Sequence, residues 1–490
     1  MRFAVALLCL AELSAGQQLR VKAASARSVE LEWDSAAGPV TVERANGNVF
    51  QKIAPAAQAN YTDASIDPFA TYRYRISAGG KSSNEVTVGP PPAGVLNAAP
   101  VPKGTEPPKY GVASAIGLDE NGDPMIAFEW LDPNGDGNGS DNDVRFVHWS
   151  RATRKWLPPV QVQVVGEILS QGVNPISVSC DRKTGLLAIV TPVGEGGKSI
   201  RFERALGTSL YPTAVLLVVS KDGGATWNST PIPGVVTTVN STGIAIVDGT
   251  AHVVLASTES EAYYLTGPVD NVSSWRRQNL PAAAGWKRAE NANVGLTIDA
   301  GGKPVIAWYE AQNDGDERRF QVWRPGGQVV TAVDTKKSAD NADLAIAAGA
   351  GKIGLLFETP LDEKDEDHGV WYTQSADGAS WSKPAKLPID GPRSTNPPLD
   401  VAMDSHGRIV AVFGANSGSD TTSCNYPALS RSSDGTTWKT CGPGKAEGGD
   451  FSPQPATLHV VEAGNDKAYV LWQEPGDNKY QTGMLLWHER

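Results

Sequence analysis

Two stretches of the chain, 180 residues apart, share one pattern: Ile116-Gly-Leu-Asp-Glu-Asn-Gly-Asp-Pro-Met-Ile-Ala-Phe128 and Leu296-Thr-Ile-Asp-Ala-Gly-Gly-Lys-Pro-Val-Ile-Ala-Trp308. Each reads as a strand, a turn that contains Asp and Gly, and a second strand rich in aliphatic and aromatic residues. A unit that recurs in this way is the strongest indication of fold that a sequence can carry, because it predicts a repeat architecture.

Weaker copies of the unit follow the same order of strand, turn and strand. They begin near Ile176, Ile244, Leu344, Val401 and Leu458, and the seven turns are marked by Asp119, Asp181, Asp248, Asp299, Ala348, Asp404 and Ala463. Intervals of 49 to 67 residues between these markers have room for four strands and their loops. Small sheets of this kind bury both faces when they are arranged radially, so residues 109–490 are predicted to form a β-propeller. Seven blades are favoured, and six is the alternative if one weak copy is an insertion.

The last copy ends after its third strand, Met484-Leu-Leu-Trp-His488. We expect the missing fourth strand to come from the segment before Tyr110, which would join the two ends of the domain. Residues 90–108 are predicted to be a linker because prolines are frequent there, and Pro-rich backbone is extended and semi-rigid.

Residues 17–89 alternate apolar and polar side chains in short runs such as Ser28-Val-Glu-Leu-Glu-Trp33 and Thr71-Tyr-Arg-Tyr-Arg-Ile76. This period indicates half-buried antiparallel strands and predicts a small immunoglobulin-like β-sandwich. The segment resembles a fibronectin type III module through Trp33, Tyr61-Thr-Asp63 and the paired Tyr72 and Tyr74. The whole chain is therefore predicted to be all-β.

The first residues have the composition of a secretory signal: Met1-Arg2, an apolar run from Phe3 to Leu10, and then small residues up to Gly16. Residues 1–16 are predicted to be a signal peptide, so we expect a secreted protein, extracellular or periplasmic. No later run approaches the roughly 18 apolar residues of a membrane span.

Cys180, Cys424 and Cys441 remain after removal of the signal, an odd number for an oxidising compartment. Cys424 and Cys441 flank one predicted hairpin and either pair or stay reduced. Cys180 lies in an apolar strand and is predicted to be an inert buried thiol.

The overall composition excludes several classes of protein. Gly and Pro make up about 17% of the 490 residues, which argues against helical bundles. With 43 Lys and Arg against 54 Asp and Glu, the net charge of −11 disfavours nucleic acid and anionic membranes as partners. A cationic or metal partner is more compatible with this charge.

Three turns between predicted third and fourth strands share a second motif. Ser220-Lys-Asp-Gly-Gly-Ala-Thr-Trp227 matches S-x-D-x-G-x-T-W, and two copies one residue shorter start at Ser375 and Ser432. The turns resemble the Asp-box of the sialidase superfamily. The residues that carry the resemblance are Ser220, Asp222, Gly224, Thr226, Trp227, Ser375, Asp377, Trp381, Ser432, Asp434 and Trp438. We expect these residues to be structural, with the Asp carboxylate accepting backbone N–H groups and the Trp packing under the sheet.

Resemblance to sialidases implies a substrate carboxylate held by three arginines, a Tyr nucleophile activated by Glu, and an Asp acid/base. The first of these arginines normally stands in an Arg-Ile-Pro or Arg-Leu-Pro motif. The corresponding stretch here, Tyr110 to Leu118, contains no Arg, and no nucleophile can be assigned among Tyr263, Tyr264 and Tyr309. We therefore expect the sialidase-like fold without true sialidase activity.

One acidic loop has the pattern of a calcium-binding loop. Residues 132–143 fit D-x-[DN]-x-[DN]-G, with oxygen-bearing side chains at alternate positions and a carboxylate at position 12. The predicted calcium ligands are Asp132, Asn134, Asp136, Asn138 and Asp143. The alternative is a solvated turn rich in Gly, Asn and Asp.

Four predicted second strands end in an aromatic residue followed closely by glutamate: Glu129, Glu310, Glu358 and Glu474. At the same position in several blades, these carboxylates would ring the propeller mouth beside aromatic side chains, which suits sugar binding. A pair about 5 to 9.5 Å apart would also suit glycoside hydrolysis. Repeat symmetry with solvated Glu at the strand ends is the alternative explanation.

Three functions follow from these patterns. The first is recognition of an extracellular glycan, with calcium ordering the loop 132–143. The second is glycoside hydrolysis through a pair of the four glutamates. The third is adhesion to a surface protein through a propeller that serves as a scaffold.

Overall fold

The computed structural model describes most of the chain after residue 17. The described residues are 18–34, 39–56, 58–92, 94–96, 109–131, 143–164, 176–193, 214–234, 239–257, 261–289, 293–313, 317–335, 343–359, 369–388, 399–413, 428–441, 457–464, 467–473 and 484–487. Regular structure in these ranges is β-strand, apart from one 3₁₀ turn, Val272–Ser274. The predicted all-β class is confirmed. No helix in these ranges has the length and apolar character needed to cross a bilayer.

The chain divides into two compact units. Unit 1 comprises Met1–Pro90 with Ser150–Lys155, and unit 2 comprises Pro91–Trp149 with Trp156–Arg490. The predicted signal peptide, residues 1–16, lies outside the described residues.

Unit 1 contains two antiparallel sheets in its described residues. The first has strands Leu19–Ala24, Val29–Trp33 and Asn60–Asp63; the second has Gln51–Ala56, Val40–Ala45, Tyr72–Ala78, Lys81–Ser82 and Val86–Val88. Alternate side chains of both sheets, such as Val29, Leu31, Tyr74 and Ile76, are fully buried in one core. The period-2 pattern of the sequence therefore marks the buried face, as expected for strands covered on one side.

Seven antiparallel sheets lie in the described part of unit 2, and we number them in chain order. Sheet 1 has Lys109–Leu118, Pro124–Leu131, Asp143–Ser150, Lys155–Trp156 and Val160–Val164; sheet 2 has Ser177–Asp181, Leu186–Val193, Ala214–Ser220 and Asn228–Pro231; sheet 3 has Val239–Val247, Thr250–Ser257, Ala262–Pro268 and Arg276–Asn279.

Sheets 4 to 7 continue the same up-and-down order. Sheet 4 has Trp286–Arg288, Val294–Ile298, Pro304–Gln312, Arg318–Trp323 and Val329–Thr335; sheet 5 has Leu344–Gly349, Lys352–Thr359, Gly369–Ser375 and Ala385–Lys386; sheet 6 has Leu399–Met403, Ile409–Phe413, Ala428–Ser432 and Lys439–Cys441; sheet 7 has Thr457–Gly464, Lys467–Gln473, Met484–Trp487 and Gly94–Leu96. In sheet 4 both Trp286–Arg288 and Val294–Ile298 pair with Pro304–Gln312.

Each sheet of unit 2 is buried on both faces. In the third strand of sheet 2, Leu217 packs in a core shared with sheet 3, whereas Leu216 and Val218 pack in a core shared with sheet 1. This double burial explains the unbroken apolar run in that strand, because neither face meets water. Similar cores join every successive pair of sheets, and Leu471 of sheet 7 packs with Ile126 and Phe128 of sheet 1.

The two ends of unit 2 meet in sheet 7. Met484 pairs with Leu96 and Leu486 with Gly94, so the last strand receives its partner from the start of the unit. The pairing expected from the missing fourth strand is confirmed. The segment 90–108, predicted as a linker, thus supplies a sheet strand, because an end strand needs a partner for its backbone N–H and C=O groups.

Side chains also bridge the inner edges of neighbouring sheets. In an antiparallel pair every second residue turns its N–H and C=O away from the partner strand, so a first strand leaves these groups unpaired on its open edge. At the open edge of sheet 5, Asn293 of sheet 4 donates to the Leu344 carbonyl at 2.8 Å and accepts from the Leu344 N–H at 3.1 Å. Asp400 accepts from the Val460 N–H between sheets 6 and 7 in the same way, at 2.9 Å.

The three turns that resemble Asp-boxes are closed by their own hydrogen bonds. Asp222 Oδ1 accepts from the Thr226 N–H at 2.9 Å, and Ser220 Oγ donates to the same carboxylate at 2.8 Å. These bonds, led by that of the Thr226 hydroxyl, lower the pKa of Asp222 to about 2. The Asp222 carboxylate is therefore used to close its own turn.

The two shorter turns close differently. Asp377 accepts from the N–H groups two and three residues ahead, at 2.8 Å each, instead of four residues ahead. Asp434 repeats this arrangement at 2.8 and 2.7 Å. The missing residue is therefore accommodated by a shift of the acceptor contacts along the backbone. Each turn also contains a glycine with positive φ, for example Gly378 at 78°, a conformation that glycine adopts at little cost.

Candidate functional site

The second strands of the sheets end, and the third strands begin, at the rim opposite the Asp-box-like turns. We call this edge the second-strand rim. Glu129, Glu310 and Glu358 lie there at equivalent positions of sheets 1, 4 and 5. In sheet 4 the equivalent of a second strand is Pro304–Gln312, because the short strand Trp286–Arg288 precedes the repeat unit. Their exposed fractions are only 2%, 0% and 1%, so they are not solvated strand ends. Glu474 lies outside the described residues.

Glu310 is held by four polar contacts. Its Oε1 accepts from the Trp308 indole N–H at 3.0 Å, and its Oε2 accepts from Gln321 at 3.0 Å. Arg319 contributes Nε at 2.8 Å and a second guanidinium nitrogen at 2.7 Å. These four contacts fix the carboxylate in one orientation, because charge-assisted bonds from Arg are short and directional.

The surroundings of Glu310 combine charge with aromatic surface. Arg319 stacks on the Trp286 ring with 3.8 Å between guanidinium carbon and ring centroid. Arg288 stands opposite Glu310 on the adjacent strand, is 4% exposed and donates to the carbonyls of Ala289 and Ser257. We call Trp286, Arg288, Trp308, Glu310 and Arg319 the sheet 4 cluster. It places a carboxylate, two guanidinium groups and two indoles on one face of one sheet.

Only Glu310 of this cluster was singled out as a functional candidate by the sequence. Trp286 and Arg288 lie on a three-residue strand that precedes the repeat unit, and no periodic signal marks so short a segment. Arg319 follows a charged loop, and no motif in the sequence places it beside Glu310. Arg319 contacts Glu310 because the register of the two strands places these residues opposite each other.

The predicted calcium loop is described only at its last ligand. Asp143 is 6% exposed and accepts from Arg145 at 3.1 to 3.3 Å, while Arg145 lies over the Trp130 ring at 4.0 Å. A cation at Asp143 would therefore share this carboxylate with a guanidinium group. The other predicted ligands, Asp132, Asn134, Asp136 and Asn138, lie outside the described residues. No cluster of three metal-ligating side chains occurs within the described ranges.

A second buried carboxyl group lies near Glu358. Asp343 stands opposite Glu358 across the first two strands of sheet 5, and its carbonyl accepts from the Glu358 N–H at 3.0 Å. Residues at such opposed positions have Cβ atoms about 5 Å apart on one face. Burial raises the pKa of Asp343 to about 7. This group was not among the sequence candidates, although Asp343 directly precedes Leu344–Gly349 just as Asn293 directly precedes Val294–Ile298 in sheet 4.

None of the three tyrosines considered as nucleophiles is exposed. Tyr263 donates to Glu261, and burial together with this bond raises its pKa to about 12, so its phenolate is disfavoured at neutral pH. The hydroxyl of Tyr264 is 2.7 Å from His252 Nδ1, and Tyr309 is fully buried against Phe320.

Cys180 has no disulfide partner, and burial raises its pKa to about 12, as expected for an unreactive thiol. Cys424 lies outside the described residues, so the pairing of Cys424 with Cys441 remains a prediction.

Comparisons with known proteins give structural neighbours only. No protein-family model matches the chain, and no curated protein sequence matches it significantly. Similar solved structures include the Hadza microbial sialidase Hz136, with 11% identity and a TM-score of 0.41 over 95% of this chain and 93% of that one. Others are the α-L-arabinofuranosidase Arb93A from Fusarium graminearum, with 12% identity and a TM-score of 0.41 over 82% and 96%, and the fucose-specific lectin from Aleuria aurantia, with 13% and 0.37 over 72% and 97%.

Proposed function

We propose that the protein is a secreted, carbohydrate-recognising β-propeller without true sialidase activity. In this proposal the seven sheets of unit 2 are seven blades, the three serine-to-tryptophan turns are Asp-boxes, and unit 1 is a fibronectin type III-like sandwich. The circular order of contacts supports the propeller, because the first strand of sheet 7 contacts the first strand of sheet 1. The glycan would bind at the second-strand rim.

The sheet 4 cluster is the observation that carries this proposal. Sugar sites need rigid acceptors and donors for hydroxyl groups beside an aromatic face for the C–H groups of the ring. Glu310 and Arg319 are locked in one geometry, and the half-buried Trp286 lies against them. Glu310 is 0% exposed, so its part in this site is to hold the Arg319 guanidinium in place.

The test is a glycan array with wild-type protein and two tryptophan variants. We expect Trp286→Ala to weaken binding by about tenfold or more, since an aromatic anchor in a binding site contributes at least 1.4 kcal/mol. Trp275→Ala is the matched control, because Trp275 is also half-buried but lies beside the turn at the other rim of sheet 3. Equal loss in both variants, or no glycan bound by the wild type, would reject the proposal and favour the protein-binding scaffold.

Glycoside hydrolysis is the second candidate, and Asp343 is the observation that favours it. A carboxyl group with a pKa near 7 is protonated in part of the molecules at neutral pH and could donate to a leaving group. Glu358, at the opposed position, would supply the second carboxylate. Chromogenic glycosides distinguish the two candidates. Hydrolysis that uses Asp343 as the proton donor would fall as pH rises through about 7, and it would be lost in Asp343→Asn.

We further propose that calcium orders the loop 132–143. A ligand that binds only the native state stabilises it by mass action, so added calcium should raise the unfolding temperature by several degrees over EDTA. The double variant Asp132→Ala, Asp136→Ala should abolish this shift. Identical midpoints with calcium and with EDTA would exclude a tight site.

A further inference from the structure

In sheet 1, Arg145 is held by a carboxylate and an aromatic ring. Its Nε lies 3.1 Å from Asp143 Oδ1 and its Nη2 lies 3.2 Å from Asp143 Oδ2, while its guanidinium carbon lies 4.0 Å from the centroid of the Trp130 ring. Arg319 of the sheet 4 cluster also contacts one carboxylate through Nε and Nη2, and it stacks on an indole at 3.8 Å. The two guanidinium groups are therefore fixed by the same kinds of contact.

Both arginines lie in the same part of the repeat. Phe128 and Trp308 occupy matching positions at the ends of the two aligned stretches. Arg145 stands opposite Phe128, and Arg319 stands opposite Glu310, two residues beyond Trp308. Phe128 packs in the core shared with sheet 7 and Trp308 in the core shared with sheet 3. Arg145 therefore faces sheet 7 and Arg319 faces sheet 3, so each lies on the face turned to the preceding sheet.

The residue types are exchanged between these positions. The third-strand position that Asp143 takes in sheet 1 carries Arg319 in sheet 4, and the second-strand position of Trp130 carries Glu310. Copying of a repeat would put the same residue type at both positions. Because the contacts are kept while the positions change, repeat symmetry does not account for the second arrangement.

Each arginine keeps N–H donors that face away from its carboxylate. Nε and Nη2 contact the carboxylate, and no other acceptor contacts Nη1 in the part of the chain that the structure describes. The side chains of Arg145 and Arg319 are 28% and 15% exposed, whereas those of Asp143 and Glu310 are 8% and 1% exposed. Both pairs therefore expose the guanidinium group and bury its anion.

We propose that sheet 1 carries a second saccharide site, centred on Arg145, for a neutral sugar with vicinal hydroxyl groups. Two N–H groups on one edge of a fixed guanidinium can donate to two adjacent hydroxyl oxygens, as they do to the two oxygens of a carboxylate. Since Arg145 is already paired with Asp143, the site offers little attraction to an anion. The inference rests on the proposed glycan recognition by the sheet 4 cluster and extends it to two sites in one chain.

The fixed orientation is what suits these arginines to sugars. A free arginine side chain loses rotamer freedom when it binds a ligand, and hydrogen bonds to hydroxyl groups compensate this loss only in part. Arg145 and Arg319 are ordered by the fold before any ligand arrives. Each site is therefore pre-organised in the same way, and we expect both to accept the same sugar.

The experiment is equilibrium dialysis of the full-length protein against the methyl glycosides of galactose, mannose and fucose. We expect at least one of them to bind with two molecules per chain at saturation. One molecule per chain would overturn the second site and leave the proposed glycan recognition standing. Failure of all three to bind would overturn the assignment to a neutral sugar, whereas the glycan array decides separately whether the protein recognises glycans.

Variants locate the two molecules. Arg145→Met should remove one of them, and Trp286→Ala should weaken binding of the other. Arg145→Lys keeps a positive charge beside Asp143, so it protects the fold, but it should also lose one molecule because an ammonium group lacks the planar fork. Wild-type stoichiometry in both Arg145 variants would overturn the proposal.

Arg75→Met is the matched control. Arg75 of unit 1 stacks on Phe50 at 4.1 Å and contacts Glu43 through Nε at 2.6 Å, so it has similar neighbours but lacks, among the described residues, the paired Nε and Nη2 contacts. The variant should bind as the wild type does. Loss of one molecule in Arg75→Met as well as in Arg145→Met would overturn the assignment to sheet 1.

Ionic strength tests the neutral character of the ligand. Raising NaCl from about 0.05 to about 0.5 M should change the affinity for the bound glycoside less than twofold, because a neutral ligand has no charge for salt to screen. The uronate of the same sugar should bind no more tightly. A tenfold loss in salt, or a tenfold preference for the uronate, would overturn the proposed ligand class.

Discussion

Replacing Arg319 with methionine should destabilise the protein by about 3 to 5 kcal/mol, the cost of leaving a buried carboxylate without its charge partner. Glu310 is 0% exposed, and Arg319 provides two of its four donor contacts. Methionine retains most of the aliphatic length that packs on Trp286, so the loss reports on charge rather than on a cavity. Urea denaturation monitored by fluorescence measures the effect.

A second substitution tests whether the unpaired carboxylate causes this loss. Adding Glu310→Gln should recover part of the loss, because the unpaired charge is removed.

Arg318→Met provides the control for this variant. Arg318 is adjacent in sequence and only partly buried, and it donates to the carbonyl of Glu317. A change there should stay within about 0.5 kcal/mol, as is usual for surface positions. If both variants lose the same stability, the Glu310 contacts do not stabilise the fold as proposed.

Replacing Asn293 with alanine should cost about 2 to 4 kcal/mol. The amide makes both hydrogen bonds of the Leu344 backbone on the open edge of sheet 5, and Asn293 is 3% exposed. Its removal leaves a buried N–H and a buried C=O without partners, each at a cost of about 1 to 3 kcal/mol. The same denaturation experiment measures the loss.

Two comparison variants test whether the bridge between the sheets is the cause. Asn293→Asp keeps the acceptor but faces the Leu344 carbonyl with a second acceptor, so it should not rescue stability. Asn279→Ala removes an exposed Asn from sheet 3 and should have little effect. A loss in Asn293→Ala no greater than that in Asn279→Ala would contradict the proposed role of the bridge.

Elements whose interactions are local could be predicted from the sequence. The strand, turn and strand of each repeat, and the closure of the Asp222 turn, depend on contacts between residues that are close in the chain. Alternation of apolar side chains distinguished the strands of unit 1, and the incomplete last repeat required a partner strand for Met484–Trp487. Such features follow from turn chemistry, strand period and the need to pair backbone groups, all of which a sequence displays directly.

The surroundings of the candidate carboxylates depend on how the strands pair and the sheets pack. Glu129, Glu310 and Glu358 share one position in the repeat, but only the strand register brought Arg319 and the indole of Trp308 to Glu310. Asp343 acquired its raised pKa from burial between packed sheets. Charge, burial and register at a site depend on residues distant in the chain, so a repeat predicts where a carboxylate stands but not what surrounds it.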